Sequence, residues 1–498
     1  MANTRLLRPL AVGAVVLAMN GGAVAAAAPA PPPLSFVAAT SAVTLERYAE
    51  EGVFLDLGTH VVAGKKPFEI RAARASYADP IVATYGKGAS ATQLPAGLVT
   101  SLSGLSAFTH TRIVDANGAV VFERDDEFCP NGFGARSRPD APDTSPYPRF
   151  CSTNPFTLGA VWGIQAGWSA SSSGPWWQKA PVDLAVGTYT ATVAVNQQYR
   201  DLFGIPADHA SATVRVTVRE AASGGPRGQA AAPADEHARH TAAEHARFAA
   251  GNAGGQPAAA RPAGKGKVVA GPKPDLRSLP AWGIEIGAYE GEEGHDYLSF
   301  NATVWTGGRS PLVVDGFRRT NEDIMDAYQY FYDAQGNQTG YAQVGTMEWD
   351  ARDGHNHWHF TDFAQYRLLD ADQKIAVRSG KEAFCLANTD AVDLTLPRAN
   401  WKPENTDLNT SCGEQGSIAV REVLDIGNGD TYGQFLPGQS FDITDLPNGT
   451  YYVEVAANPE GKLIESDKTN NTSLRKVILG GEPGARTVEV PPHYGIVG

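Results

Sequence analysis

The sequence predicts an all-β protein: two β-sandwich-like domains, residues 29–218 and 273–498, joined by a flexible Ala/Gly/Pro-rich linker, 219–272. Three observations carry that reading. Runs such as Val53–Leu57, Phe68–Ala72, Thr188–Val195 and Ala212–Val218 alternate apolar and polar side chains, the period of a half-buried strand. Gly (53) and Pro (33) are numerous enough to punctuate many short strands with turns. Hydrophobic residues at 42% and aromatics at 9% supply material for packed cores and exclude wholesale disorder.

In chain order, residues 1–28 have the pattern of a secretory signal peptide. Arg5 and Arg8 precede a short apolar run, Leu10 to Ala18, and small residues follow. That run is shorter than the ~20 residues of a spanning helix, so no membrane span is expected. Export permits disulfides, and Cys129 with Cys151 and Cys385 with Cys412 are the sequence-local pairings. Residues 29–218 read as an antiparallel sandwich. The linker carries His237, His240 and His245 on a charged patch that reads as a solvated polar helix rather than a metal site. Residues 273–498 return to strands at Leu298–Val304, Ala327–Asp333, Phe363–Leu369, Tyr451–Ala457 and Leu474–Leu479.

The two β regions look related. Leu184–Asn196 parallels Leu446–Asn458 around a shared Gly-Thr-Tyr, and Val114–Gly118 echoes Tyr332–Gly336. The first domain is therefore expected to be a degenerate copy of the second.

His355-Asn-His-Trp-His359 is the sharpest chemical signal. Histidines at i, i+2 and i+4 leave one face of an extended segment, and neutral imidazole is the commonest metal ligand. In a straight strand the outer α-carbons would lie ~13 Å apart. Three nitrogens then cannot meet at ~2 Å from one ion, so a bent or irregular strand end is expected here. Ligand type leaves the metal open. Zn²⁺ would imply activated water and hydrolysis, Cu²⁺ oxygen chemistry.

From the triplet the chain continues Phe360-Thr-Asp-Phe-Ala-Gln-Tyr-Arg-Leu-Leu-Asp-Ala371, then Ser379-Gly-Lys-Glu-Ala-Phe-Cys-Leu386, Gly429-Asp-Thr-Tyr-Gly433, Phe441-Asp-Ile-Thr-Asp-Leu446 and Glu465-Ser-Asp-Lys-Thr-Asn-Asn471. This ordered set, over about 273–480, resembles the catalytic domain of the lysyl oxidase family of copper amine oxidases, here in a secreted, bacterial-type form. The resemblance implies Cu²⁺ at His355, His357 and His359, and a lysine tyrosylquinone cofactor joining Lys381 to Tyr432. It also implies Ca²⁺ held by Asp275, the Leu276 carbonyl, Glu465, Asp467, Asn470 and Asn471, oxygen donors of the type calcium takes. The implied reaction is oxidative deamination of a primary amine or peptidyl lysine to an aldehyde. Molecular oxygen is consumed, and hydrogen peroxide and ammonia are released. Asp430, two residues before Tyr432, is the expected base.

Two other readings compete: a secreted zinc hydrolase using the same histidines, and a non-catalytic, calcium-stabilised extracellular binding protein. Under any of them the N-terminal domain is expected to contact an extracellular partner. The net charge of −13 argues against nucleic acid as that partner. Residues 273–498 hold 34 acidic and 18 basic side chains, a negative field that would gather cationic amines.

Overall fold

A computed structural model describes residues 32–173, 180–221, 261–287, 293–320, 322–351, 356–378, 383–403, 408–433 and 439–497. The signal peptide, the linker histidines, His355 and Lys381 lie outside the described residues. Regular structure is nearly all strand, with one α-helix, Gln197–Phe203, among the described residues.

The N-terminal sandwich has a six-stranded sheet in the order Gly52–Val53, Ala42–Tyr48, Ser211–Glu220, Gly187–Val195, Leu105–Val114, Val120–Phe128. Two four-stranded sheets complete it, one centred on Thr59–Ala63 and Trp168–Ser171, the other on Phe68–Ala73 and Val82–Tyr85, with Gly159–Ile164 at its edge beside Phe68–Ala73. The expected alternation is clear in Ser211–Glu220, where Val214, Val216 and Val218 are buried while Arg215 and Arg219 are exposed. Val53–Leu57 is a correction, because only Gly52–Val53 is strand. Leu55 and Leu57 reach the core from irregular backbone ending at Gly58, whose φ of 62° breaks the extended run.

Gly159–Ile164 is buried on both faces. Trp162 enters the N-terminal core, whereas Val161 packs with Leu394 from the second domain. The two β regions thus share a dry boundary within one unit, 32–498. Leu158 N–H and Gly159 N–H both donate to the Val392 carbonyl, at 2.8 and 3.1 Å. Phe156 packs with Leu279, Trp305 and Val392. Of the stretch read as linker, residues 261–272 are anchored to the second domain: Lys267 N–H donates to Tyr341 O at 2.9 Å, and Tyr341 Oη to Ala263 O at 3.0 Å.

The C-terminal domain layers three sheets about one core. The first runs His357–Phe360, Gln338–Asp350, Ile324–Tyr332, Leu312–Arg318, Ala419–Leu424. The second is built on Tyr297–Thr306 and Asn428–Tyr432. The third centres on Ala364–Leu369, Gly449–Ala457 and Thr472–Glu482.

The internal likeness has a structural counterpart. Gly187–Val195 and Gly449–Ala457 each lie between two antiparallel neighbours. Tyr189 Oη donates to Ala185 O and Tyr451 Oη to Pro447 O, both at 2.8 Å and both reaching back four residues. The second echo needs correcting. The strand beside Gly449–Ala457 is Ala364–Leu369, so the turn placed like Asp115 is Asp370 rather than Asp333. All three aspartates accept the N–H groups two and four residues on, which is turn chemistry and explains the misleading likeness.

One half-buried aspartate spans the domain boundary. Asp390 accepts from Ser152 Oγ (3.0 Å) and Asn154 Nδ2 (2.9 Å) of the first domain, and from Thr431 Oγ1 (3.2 Å) of the second. Burial raises its pKa, and those three donors oppose the rise. Removing a donor from such a group leaves buried polarity unsatisfied. Asn154→Ala should therefore cost about 1–3 kcal/mol in chemical denaturation. A loss within about 0.5 kcal/mol, the scale of a neutral surface change, would show the boundary network to be dispensable.

Candidate functional site

The site is built on the strand His357–Phe360, which pairs with Gln338–Asp350 so that Asp350 stands opposite His357 and Glu348 opposite His359. The strand begins abruptly. Asn356 has φ of 44°, a left-handed conformation that asparagine tolerates, so extended backbone is broken immediately before His357, the irregular strand start expected from the sequence. His357 and His359 are buried, their ring centroids 4.6 Å apart. Trp358, pointing the other way, is fully buried under the Arg318 guanidinium, which lies 4.8 Å from its ring centroid. Asp350, itself buried, brings a carboxylate oxygen to 3.2 Å from His359 Nδ1. A carboxylate there orients the imidazole and fixes which nitrogen faces elsewhere, the usual second partner of a ligating histidine. Sequence reasoning missed Asp350, since only the cross-strand register brings it beside the histidines.

Beside that strand runs Ala383–Leu386. Phe384 and Phe360 exchange backbone hydrogen bonds at 2.8 and 3.1 Å. Cys385 is bridged to Cys412, whose carbonyl accepts Trp358 N–H at 3.1 Å. Cys129 is likewise bridged to Cys151, so both expected disulfides form.

Tyr432 comes from the neighbouring sheet, on Asn428–Tyr432. Its ring meets Phe384 edge-on, centroids 4.5 Å apart, and its hydroxyl oxygen accepts Cys385 N–H at 3.0 Å. Burial pushes the Tyr432 hydroxyl far above the ordinary tyrosine range, and the negative charge of Asp430 adds to the rise, while the Cys385 N–H opposes it. Asp430 is buried and accepts from Thr389 Oγ1 at 3.3 Å. Tyr366, also fully buried, feels the same Asp430 charge. The structure therefore gathers His357, His359, Asp430 and Tyr432 around the segment 383–386.

Glu422 is a further residue the sequence did not single out. It lies on Ala419–Leu424 with no exposure, and Oε2 accepts Leu386 N–H at 3.1 Å. Burial holds its carboxyl well above the ordinary range, and the Asp430 charge reinforces this. The only sequence signal was a glutamate inside an otherwise strand-like run, Ala-Val-Arg-Glu-Val-Leu.

Elsewhere in the domain the residues expected around calcium converge, with one exception. Glu465 accepts from Leu276 N–H (3.0 Å), Asn458 Nδ2 (2.6 Å) and Asn471 Nδ2 (2.8 Å). Asp275 accepts from Asn470 Nδ2 at 3.1 Å and from Arg277 Nε at 2.8 Å. Asn470 Oδ1 and Asn471 Oδ1 are buried acceptors with no hydrogen-bond donor among the described residues. Two such oxygens beside two carboxylates suit a hard cation. Asp467 sits apart on an exposed turn, accepting from Thr469.

Fold and site define an all-β domain in which a buried His-x-His strand and a buried tyrosine are clamped to one disulfide-tied segment. Residues 328–485 match the lysyl oxidase family, and this segment of the chain belongs to it. Human protein-lysine 6-oxidase is 35% identical over 125 residues, 25% of this chain and 26% of that protein. Lysyl oxidase homolog 3B of Danio rerio is 32% identical over 130 residues, 26% of this chain and 14% of that protein. Lysyl oxidase homolog 2 of Bos taurus is 31% identical over 131 residues, 26% and 15%. The chain thus spans about a quarter or less of the length of these relatives. The match begins later than the resemblance read from the sequence, and Asp275 and Leu276 fall outside it.

Glu422 gives a test with a definite sign. Its pKa is raised above the ordinary 4.5, so the folded chain keeps a proton that the unfolded chain releases. The stability it contributes is complete below about pH 4.5 and is lost as pH rises toward the folded-state value. Glu422→Gln, neutral at every pH, should flatten that decline when unfolding free energy is followed across pH in urea. An unchanged slope would mean that Glu422 is ionised in the folded protein.

Proposed function

We propose that this chain is a secreted copper amine oxidase. It would convert a primary amine or peptidyl lysine, dioxygen and water to an aldehyde, ammonia and hydrogen peroxide. The observation that carries the reading is the attachment of both the histidine strand and Tyr432 to residues 383–386, two positions beyond Lys381. The leader-like residues 1–28 and two disulfides support export. No helix among the described residues is long and apolar enough to cross a membrane.

His355, His357 and His359 would hold copper. Two buried, adjacent imidazoles with a carboxylate on His359 Nδ1 are a fitting donor set. Copper and a quinone joining Lys381 to Tyr432 would supply the electrophilic carbonyl, the electron sink and the reaction with dioxygen. The chain's own residues do the rest. Asp430, buried with its charge acting on Tyr432, would take the proton from the substrate carbon next to nitrogen. Glu422 would stay protonated and so add no second negative charge that would hold substrate ammonium in its unreactive form. Phe384 and Tyr366 exclude water from the Tyr432 ring.

Copper-loaded protein should produce peroxide from a simple amine under air and none under nitrogen. Lys381→Ala and Tyr432→Phe should each abolish it, and mass spectrometry of digested active protein should find the peptides around those residues joined. Activity that survives without oxygen, with zinc bound, would instead establish the hydrolase. Two free peptides from active protein would rule out the cross-linked cofactor.

We also propose calcium at Asp275, the Leu276 carbonyl, Glu465, Asn470 and Asn471. Occupation would stabilise the fold by mass action, about 2.7 kcal/mol at a hundredfold excess over Kd. Chelation should lower the melting temperature and calcium chloride should restore it. In Asn470→Ala the response to calcium should weaken by at least tenfold in concentration; an unchanged response would place the ion elsewhere.

A further inference from the structure

The N-terminal sandwich carries a cleft of about 210 Å³, lined by residues 130–131, 133–134, 145, 147–150, 163–165 and 168–169 and by Lys402 of the second domain. None of these residues belongs to the site above. Phe133 and Phe150 stand at its rim, 44% and 53% exposed, with ring centroids 6.0 Å apart. They are the two phenylalanines among the described residues with large exposed surfaces. An adjacent pair of such rings is a patch with a use rather than scattered surface apolarity.

The cleft is also a built object. Cys129–Cys151 ties its two rim loops together. Asn131, buried between them, donates to Phe150 O (3.2 Å) and Val161 O (3.0 Å) and accepts Gly163 N–H at 2.8 Å. Trp168 is fixed by donation from Nε1 to Pro142 O at 2.8 Å. Phe133 holds φ of 42°, which a bulky residue adopts only when its surroundings impose it, and such strain collects at binding sites.

Charge identifies the ligand class. Arg149, its guanidinium 5.9 Å from the Phe150 ring centroid, and Lys402 have no ion pair among the described residues. In a chain of net charge −13, two such cations at one small cleft select an anion. The volume falls below the roughly 300–1,000 Å³ of a drug-sized pocket, leaving room for a single ring. Aromatic walls suit a flat face of C–H groups, and Gln165 and Ser169 offer polar contacts at the edge. We propose that this cleft binds the carboxylated ring of a uronic acid, free or within an acidic polysaccharide. An acidic peptide would bring the charge without the flat apolar face.

The test does not depend on the oxidase reading. Glucuronate and a short oligogalacturonate are titrated into the full chain by calorimetry, with glucose and a glutamate-rich peptide as controls. Saturable binding of at least one uronate is expected, tenfold or more tighter than either control and weakened by salt. Response to the monomer marks a free sugar as sufficient; response to the oligomer alone marks a unit within a chain. Arg149→Ala and Phe150→Ser, both surface changes, should each reduce affinity at least tenfold with an unchanged melting temperature. No saturable binding of either uronate, equal binding of glucose, tighter binding of the peptide, or full affinity in both variants would overturn the proposal.

Discussion

The centre depends on a few hydrogen bonds along Ala383–Leu386. On one side Phe384 is zipped to Phe360. On the other, Cys385 N–H reaches the Tyr432 hydroxyl and Leu386 N–H reaches Glu422. The Cys385–Cys412 bridge closes the frame, since the Cys412 carbonyl takes the N–H between the two histidines. Three strands from two sheets are thereby referred to one short segment. A displacement of that segment would move the imidazoles and the tyrosine together, so their spacing is preserved by construction.

The N-terminal sandwich belongs to the same frame. Ser152 and Asn154 hold Asp390, which shares Thr431 with the strand carrying Asp430 and Tyr432. Asn154 also donates to Thr303 Oγ1 at 3.0 Å, and Thr303 and Thr431 hydroxyls lie 2.8 Å apart. A polar network inside a dry boundary costs desolvation and is stable only when its members are paired. Its position, one residue from Tyr432, makes the first domain a brace for the second.

What the sequence revealed divides along physical lines. Alternation is a local property, so strands such as Phe68–Ala73 and Ser211–Glu220 were legible, as was the break before His357, which chain geometry demands if the three histidines are to share one ion. Short-range cysteine pairing was legible for the same reason. Val53–Leu57 was not, because a buried apolar residue on irregular backbone alternates as a strand does. Asp350, Glu422 and Asp390 were invisible because their meaning lies in register and in contacts across the chain. Glu422 and Leu386 are 36 positions apart, Asn154 and Asp390 236. Repeated Asp turns misled the internal comparison because identical local hydrogen bonding arises wherever a hairpin needs it.

The formal charge means less than its total suggests. Burial pushes Glu422 far up and Asp425 up to about 6, so these two acids lose their charge before the exposed ones do as pH falls. Other acids are matched with arginine: Arg421 grips Asp315 at 2.7 Å through two nitrogens, and Arg367 pairs with Glu454. The field available to steer an ammonium comes from what is left exposed. Arg149 and Lys402 mark a site of opposite preference at the domain boundary. A cationic amine and an anionic ring would not compete for one surface, so substrate capture and docking can operate on one molecule without interfering.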